Sequence, residues 1–183
     1  MIELVTAVKA KRIYLVGLMG VGKTTIGKWM ARQLGYCFFD TDLEIRKQTG
    51  ADIPWIFEIE GEQGFRQREH AMLEQLSTQQ NAIVATGGGI VLDKRNRKLL
   101  NSNGICIYLH APVDLLVERT RFSKDRPLLE GVNRREKFEL LMKERDHLYK
   151  KSAHLVIRTK RGSPKRMALK LIKEIEKYEK NHR

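Results

Sequence analysis

The sequence predicts an α/β fold with a parallel sheet and a phosphate-binding loop at its edge. Short apolar runs alternate with amphipathic helical stretches, and the runs lack the polar alternation of a sheet with one wet face. A glycine-rich segment ending in Lys-Thr lies between the first run and the first helix. At 183 residues, 42% hydrophobic and 31% charged, the chain can bury one full core and is too apolar for general disorder. A single domain over residues 1–183 is expected, its core spanning about 11–178.

In chain order, strands are predicted at residues 12–17, 36–40, 82–86, 105–109 and 153–157, all rich in Val, Ile, Tyr and Phe. The first helix, Lys23–Leu34, places Ile26, Met30 and Leu34 on one stripe. A second, over 134–149, carries Phe138, Leu141, Met142 and Leu148 at helical spacing. A third, over 163–178, opens with Ser163-Pro164 as cap and first turn and repeats Ala168, Leu171, Ile172 and Ile175. Residues 122–135 lack core periodicity, are dense in charge, and contain Pro127 and Gly131, which predicts a mobile loop that is either functional or disordered. Cys37 and Cys106 each sit inside an apolar run, so two buried thiols in a reducing compartment are expected. No run approaches the roughly 20 apolar residues that cross a bilayer. Residues 1–8 lack the basic start and apolar stretch of a leader, which points to the cytoplasm and away from membranes.

The formal net charge is +13. Residues 160–183 hold nine Lys or Arg against three Glu, close to half of that excess. Such a balance suits nucleic acid, and equally a nucleoside triphosphate with an anionic substrate while the tail is a solvated helix face. The tail offers one aromatic residue, Tyr178, too few for base stacking, so a small-molecule partner is favoured over nucleic acid.

From Gly17 to Thr24 the chain reads GLMGVGKT, which satisfies G-x-x-x-x-G-K-[ST] between a strand and an amphipathic helix. Glycines at 17, 20 and 22 let the backbone curl so that N–H groups point at phosphate oxygens, and the helix start adds positive potential. Gly20, Val21, Gly22, Lys23, Thr24 and Thr25 form the predicted ATP cradle. Lys23, on a loop expected to face solvent, would reach the β- and γ-phosphates, and the Thr24 hydroxyl would ligate Mg²⁺. Asp40-Thr41-Asp42 ends the second run, where parallel sheets place ligands. The two carboxylates could divide labour between Mg²⁺ and a substrate hydroxyl, or the motif could simply cap the following helix. Gly87-Gly88-Gly89 ends the third run and fits either a tight turn or close approach of backbone to a ligand.

Together with GEQGFRQRE at residues 61–69, DRPLL at 125–129 and Arg145 in ERDHLY, these motifs resemble the shikimate kinase family in content and order, over about residues 11–175. The resemblance implies a three-layer P-loop kinase fold of the nucleoside monophosphate kinase type, with a five-stranded parallel sheet in order 2-3-1-4-5. It also implies a substrate-binding helical region at about 41–77 and a lid at about 121–135. The implied reaction moves the ATP γ-phosphate to the 3-hydroxyl of shikimate, on the route to chorismate and aromatic amino acids. Carried over, Asp42 would bind the ring hydroxyls as base or orienting group. Arg66 and Arg145 would clamp the carboxylate, and Gly88 would offer a backbone contact. Arg126 would reach the transferring phosphate, Arg119 would lie over adenine, Asp40 would hold Mg²⁺ through water, and Glu69 would orient Arg66. A monomer is expected. The physics agrees, because a planar carboxylate is best held by guanidinium forks and phosphoryl transfer needs positioning and charge neutralisation. Gly162 stands where related enzymes often carry a second arginine, with Arg161 as the neighbouring substitute. A gluconate kinase would share the loop and lid but would not require Asp42, Arg66 and Arg145.

Overall fold

The computed structural model describes residues 8–122, 129 and 131–182. Arg126, with the rest of 123–128, lies outside the described residues. Among the described residues the strands are β1 (Arg12–Val16), β2 (Cys37–Asp40), β3 (Ala82–Ala85), β4 (Ile105–His110) and β5 (Leu155–Arg158). All neighbours pair in parallel, in the order β2-β3-β1-β4-β5. Central β1 is fully buried from Ile13 to Val16, as the absence of polar alternation predicts.

The helices are α1 (Lys23–Leu34), α2 (Thr41–Thr49), α3 (Ile53–Leu76), α4 (Lys94–Ser102), α5 (Val113–Thr120), α6 (Arg134–Ser152) and α7 (Pro164–Asn181). α1 packs on α7, and α6 packs on α4 and α5. Helices therefore cover both sides of the sheet, giving three layers. α1 lies close to the strands because Gly27 has no side chain: a Cβ there would stand 2.7 Å from the Phe38 ring and 3.1 Å from Leu15. Asp40 ends β2 and caps α2, its Oδ1 accepting from the backbone N–H of Asp42 (3.2 Å) and Leu43 (3.4 Å). α3 is two helices joined at Gly61, whose φ of 70° and ψ of 178° are not helical.

Two expectations need correction. Cys106 is buried in β4, but Cys37 is exposed, because β2 is the outermost strand of the sheet. The last two helices run longer than expected, α6 three residues past Tyr149 to Ser152 and α7 three past Tyr178 to Asn181. The inner face of α7 buries Ala168, Leu171, Ile172 and Ile175, and between residues 165 and 180 every exposed position is Lys or Arg. The Glu179 carboxylate accepts from the N–H of Lys9 and Ala10 and ties the start of the described chain to α7.

Candidate functional site

β1 ends at Val16 and α1 begins at Lys23, so the glycine-rich loop fills the gap between them at the C-terminal edge of the sheet. Gly20 (φ 79°) and Gly22 (φ 105°) have left-handed backbone, which is why the spacing demands glycine. The Lys23 side chain is buried. Its Nζ donates to the carbonyls of Gly17 (2.7 Å) and Leu18 (3.0 Å), which corrects the expectation of a solvent-facing residue. An ammonium at a loop rich in carbonyls meets its donors' needs by folding back. Val21 is buried and Thr25 exposed. The Thr24 hydroxyl donates to Asp40 Oδ2 at 2.8 Å. Two hard oxygens side by side, next to the phosphate loop, are a donor set that fits Mg²⁺.

Arg119, on α5, donates through Nη1 to the Val21 carbonyl (2.9 Å) and through Nη2 to the Lys160 carbonyl (3.1 Å). It braces the loop against the segment after β5, and burial lowers its pKa. Arg161 is exposed and pairs with Glu118.

Beside this loop, the three glycines after β3 each meet a different part of a second pocket. A Cβ on Gly87 would stand 2.7 Å from Asp42 Oδ1 and 2.8 Å from Glu69 Oε1. One on Gly89 would overlap the Arg66 guanidinium. The Gly88 carbonyl accepts from Arg145 Nη1 (3.3 Å) and from the Tyr149 hydroxyl. A Cβ on Gly88 would lie 3.7 Å from Met19 N and 3.8 Å from Gly17 O, within the phosphate loop. The glycine turn thus backs onto Asp42, Glu69, Arg66 and Arg145 while touching the cradle. Thr41, fully buried, holds the turn to α2 by accepting from Gly87 N–H at 2.9 Å.

The pocket is charged and largely buried. Glu69 is 1% exposed, and its Oε2 accepts from Arg66 Nη1 at 2.7 Å. Burial pushes the Glu69 carboxyl up to about 7; Arg66 pulls it down, Asp42 adds to the rise, and Arg145 opposes it. For Arg66, burial works against the charge, but Glu69 and the more exposed Glu62 outweigh it and raise its pKa. Glu69 Oε1, Arg66 Nε and Arg145 Nε are buried with no hydrogen-bond partner among the described residues. Such open valences are what a polar ligand satisfies.

The structure therefore gathers Asp42, Arg66, Glu69, Gly88 and Arg145 around one turn, and groups Gly20, Val21, Gly22, Lys23, Thr24 and Asp40 beside them. Thr41 and Tyr149 are additions that motif reading misses. Thr41 is the middle letter of D-T-D, and Tyr149 follows Arg145 by one helical turn, the only sequence signal either offers.

A phosphate cradle at the edge of a 2-3-1-4-5 parallel sheet, facing a buried pocket with paired arginines, defines a small-molecule kinase of the P-loop class. The sequence profile described as shikimate kinase matches residues 19–176. The chain belongs to the shikimate kinase family. A shikimate kinase from Acinetobacter baylyi is 46% identical over 163 residues, covering 89% of this chain and 91% of that protein. The structure of a shikimate kinase from Acinetobacter baumannii in complex with shikimate is similar with a TM-score of 0.88 at 46% identity, over 91% of this chain and 93% of that one. A gluconokinase from Sinorhizobium meliloti, at 16% identity and a TM-score of 0.56, shares the fold alone; it covers 91% of this chain and 94% of its own. As a kinase of this family the protein takes its phosphate from ATP. No helix among the described residues is long and apolar enough to cross a membrane.

Proposed function

We propose that the protein transfers the γ-phosphate of ATP to the 3-hydroxyl of shikimate, giving shikimate 3-phosphate for the synthesis of chorismate and aromatic amino acids. One observation carries the reading: the glycine turn touches the phosphate loop on one side and a carboxylate with two arginines on the other. A donor and a hydroxylated carboxylate acceptor would meet across it.

In this reading Arg66 and Arg145 hold the shikimate carboxylate. The Arg66 contact to Glu62 is long (3.3 Å) and Glu62 is well exposed, so a ligand carboxylate displaces it at little cost. Glu69 stays and keeps the guanidinium aimed. Asp42 accepts a hydrogen bond from the attacking hydroxyl, orients it, and takes its proton as the oxygen–phosphorus bond forms and the bridge to ADP breaks. Gly88 offers the ring a backbone contact. Lys23 leaves the Gly17 and Leu18 carbonyls for the β- and γ-phosphates, exchanging two neutral acceptors for charged ones. Thr24 would ligate Mg²⁺ and Asp40 would hold it through water, and the ion would supply neutralisation of phosphate charge. Arg119 lies over adenine while bracing the loop, and Arg126 reaches the transferring phosphate. Residues 41–77 form the substrate-binding region and 121–135 a lid whose closure excludes water and limits ATP hydrolysis. The protein works as a cytoplasmic monomer with no nucleic-acid partner, the basic face of α7 remaining solvated.

The test is ADP release from Mg-ATP with shikimate, gluconate or nucleoside monophosphates as acceptor. Turnover with shikimate alone is expected. Turnover with gluconate and none with shikimate would end the proposal, and stimulation by RNA or DNA would favour a nucleic-acid ATPase.

A further inference from the structure

We propose that the Tyr149 hydroxyl is a positioning group for the acceptor pocket, pinning the Gly88 carbonyl to α6 so that Arg145 is left to bind the ligand. The inference rests on the reading of this pocket as the acceptor site.

Tyr149 is fully buried, and its hydroxyl donates to the Gly88 carbonyl. Arg145, one turn earlier on the same helix, donates to that same carbonyl through Nη1 at 3.3 Å. The carbonyl is therefore shared by a neutral donor and a charged one. The neutral donor adds no charge to a pocket that already holds two arginines and two carboxylates. Burial raises the Tyr149 pKa, so the hydroxyl keeps its proton and stays a donor. Were it missing, Gly88 would draw on Arg145 alone, and a guanidinium committed to a backbone carbonyl has fewer N–H groups for a ligand carboxylate. The trans peptide plane makes the effect wider, since the Gly88 carbonyl also sets the plane leading into Gly89, whose absent Cβ leaves room for the Arg66 guanidinium.

Packing does not require the hydroxyl. The Tyr149 ring stacks on Tyr108 with centroids 4.9 Å apart, and phenylalanine would fill the same space. Tyr108 has its own hydroxyl, which donates to Asp146 Oδ1 at 2.9 Å and takes no part in the glycine turn. The two rings form a matched pair: conversion to phenylalanine removes the bonds of Tyr108 to Asp146 and Met142 Sδ, or those of Tyr149 to the Gly88 carbonyl and Arg145, and only the second set faces the pocket.

The experiment compares Tyr149→Phe and Tyr108→Phe with the unaltered protein by steady-state kinetics and thermal melting. Both variants keep the stack and should fold, with similar small losses in melting temperature. Tyr149→Phe should raise the KM for shikimate about five- to tenfold, the worth of one hydrogen bond, with kcat and the KM for ATP within about twofold. Tyr108→Phe should leave the KM for shikimate unchanged. An unchanged KM in Tyr149→Phe, or an equal rise in both variants, would overturn the proposal. If the unaltered protein uses a different acceptor and not shikimate, the substrate assignment fails instead, and the same two variants are compared on that acceptor's KM.

Discussion

Eight consecutive residues, Gly17 to Thr24, build the phosphate cradle, and its lysine bonds to carbonyls only five and six positions away. The pocket beside it draws Asp42 from α2, Arg66 and Glu69 from α3, three glycines from the end of β3, and Arg145 with Tyr149 from α6. A local device of this kind carries its geometry in its own backbone, so damage to it should remove chemistry and spare the rest. A pocket collected from four elements depends on the fold and on a balance of buried charges. Damage there should appear as lost affinity or altered stability.

The contrast can be broken in graded steps. The largest effect is expected from Arg126→Ala, which should lower kcat about 10³-fold if the side chain meets the charge developing on the phosphate; near-normal turnover would remove it from the mechanism. Lys23→Met should cut kcat about 10²- to 10³-fold and leave shikimate binding, measured by calorimetric titration, intact. Its buried position means that a modest drop in melting temperature should accompany the loss, because two loop carbonyls lose their donor. Arg66→Ala belongs to the other region and should weaken shikimate binding about 10²-fold, as a buried carboxylate loses a charged partner. An unchanged dissociation constant would contradict the clamp.

Glu69→Gln sharpens the comparison through pH. In the fold this carboxyl holds its proton up to about pH 7, whereas its ordinary value is 4.5. The folded state binds the proton more tightly between those values, so the contribution to stability is complete below 4.5 and is lost as pH rises through 7. The slope should reach about 1.4 kcal/mol per pH unit at most. Subtracting the variant's denaturation free energies from those of the unaltered protein should expose that slope, and a flat difference curve would show that Glu69 is ionised throughout. The smallest effect is expected on the cradle side. Gly27→Ala gains helix propensity of up to about 1 kcal/mol, yet pushes against Phe38 and Leu15, and overpacking of this kind costs about 1–3 kcal/mol. A net loss of about 1 kcal/mol in urea unfolding should result; a more stable variant would mean that α1 simply moves away from the sheet.

Legibility in the sequence follows the same divide. The cradle can be read from one motif because a strand, three glycines and a helix start suffice to define it. The parallel sheet is equally plain, since its strands carry unbroken apolar runs. The pocket can be assembled from sequence only by resemblance, as nothing in the spacing of Asp42, Arg66 and Arg145 says that they face one turn. What sequence does not show is where side chains go once packed. Lys23 turns inward to loop carbonyls, Arg119 spans Val21 and Lys160, and the Tyr149 hydroxyl finds a partner 61 positions away. Cys37 looks like a core residue until β2 proves to be an outer strand. α3 is obscured for a local reason: the non-helical Gly61 shifts the phase between its two halves, so no single period of 3.6 runs through all 24 residues.

That interruption has a consequence for how such a protein can diverge. An unbroken helix passes rotation along its axis, so a bulky replacement near one end swings residues several turns away. Gly61 stops the transfer, and since a Cβ there would touch nothing within 4 Å, its identity answers to backbone shape alone. Replacing Trp55 or Ile59, exposed on the leading half, should therefore leave Arg66 in its seat on the glycine turn.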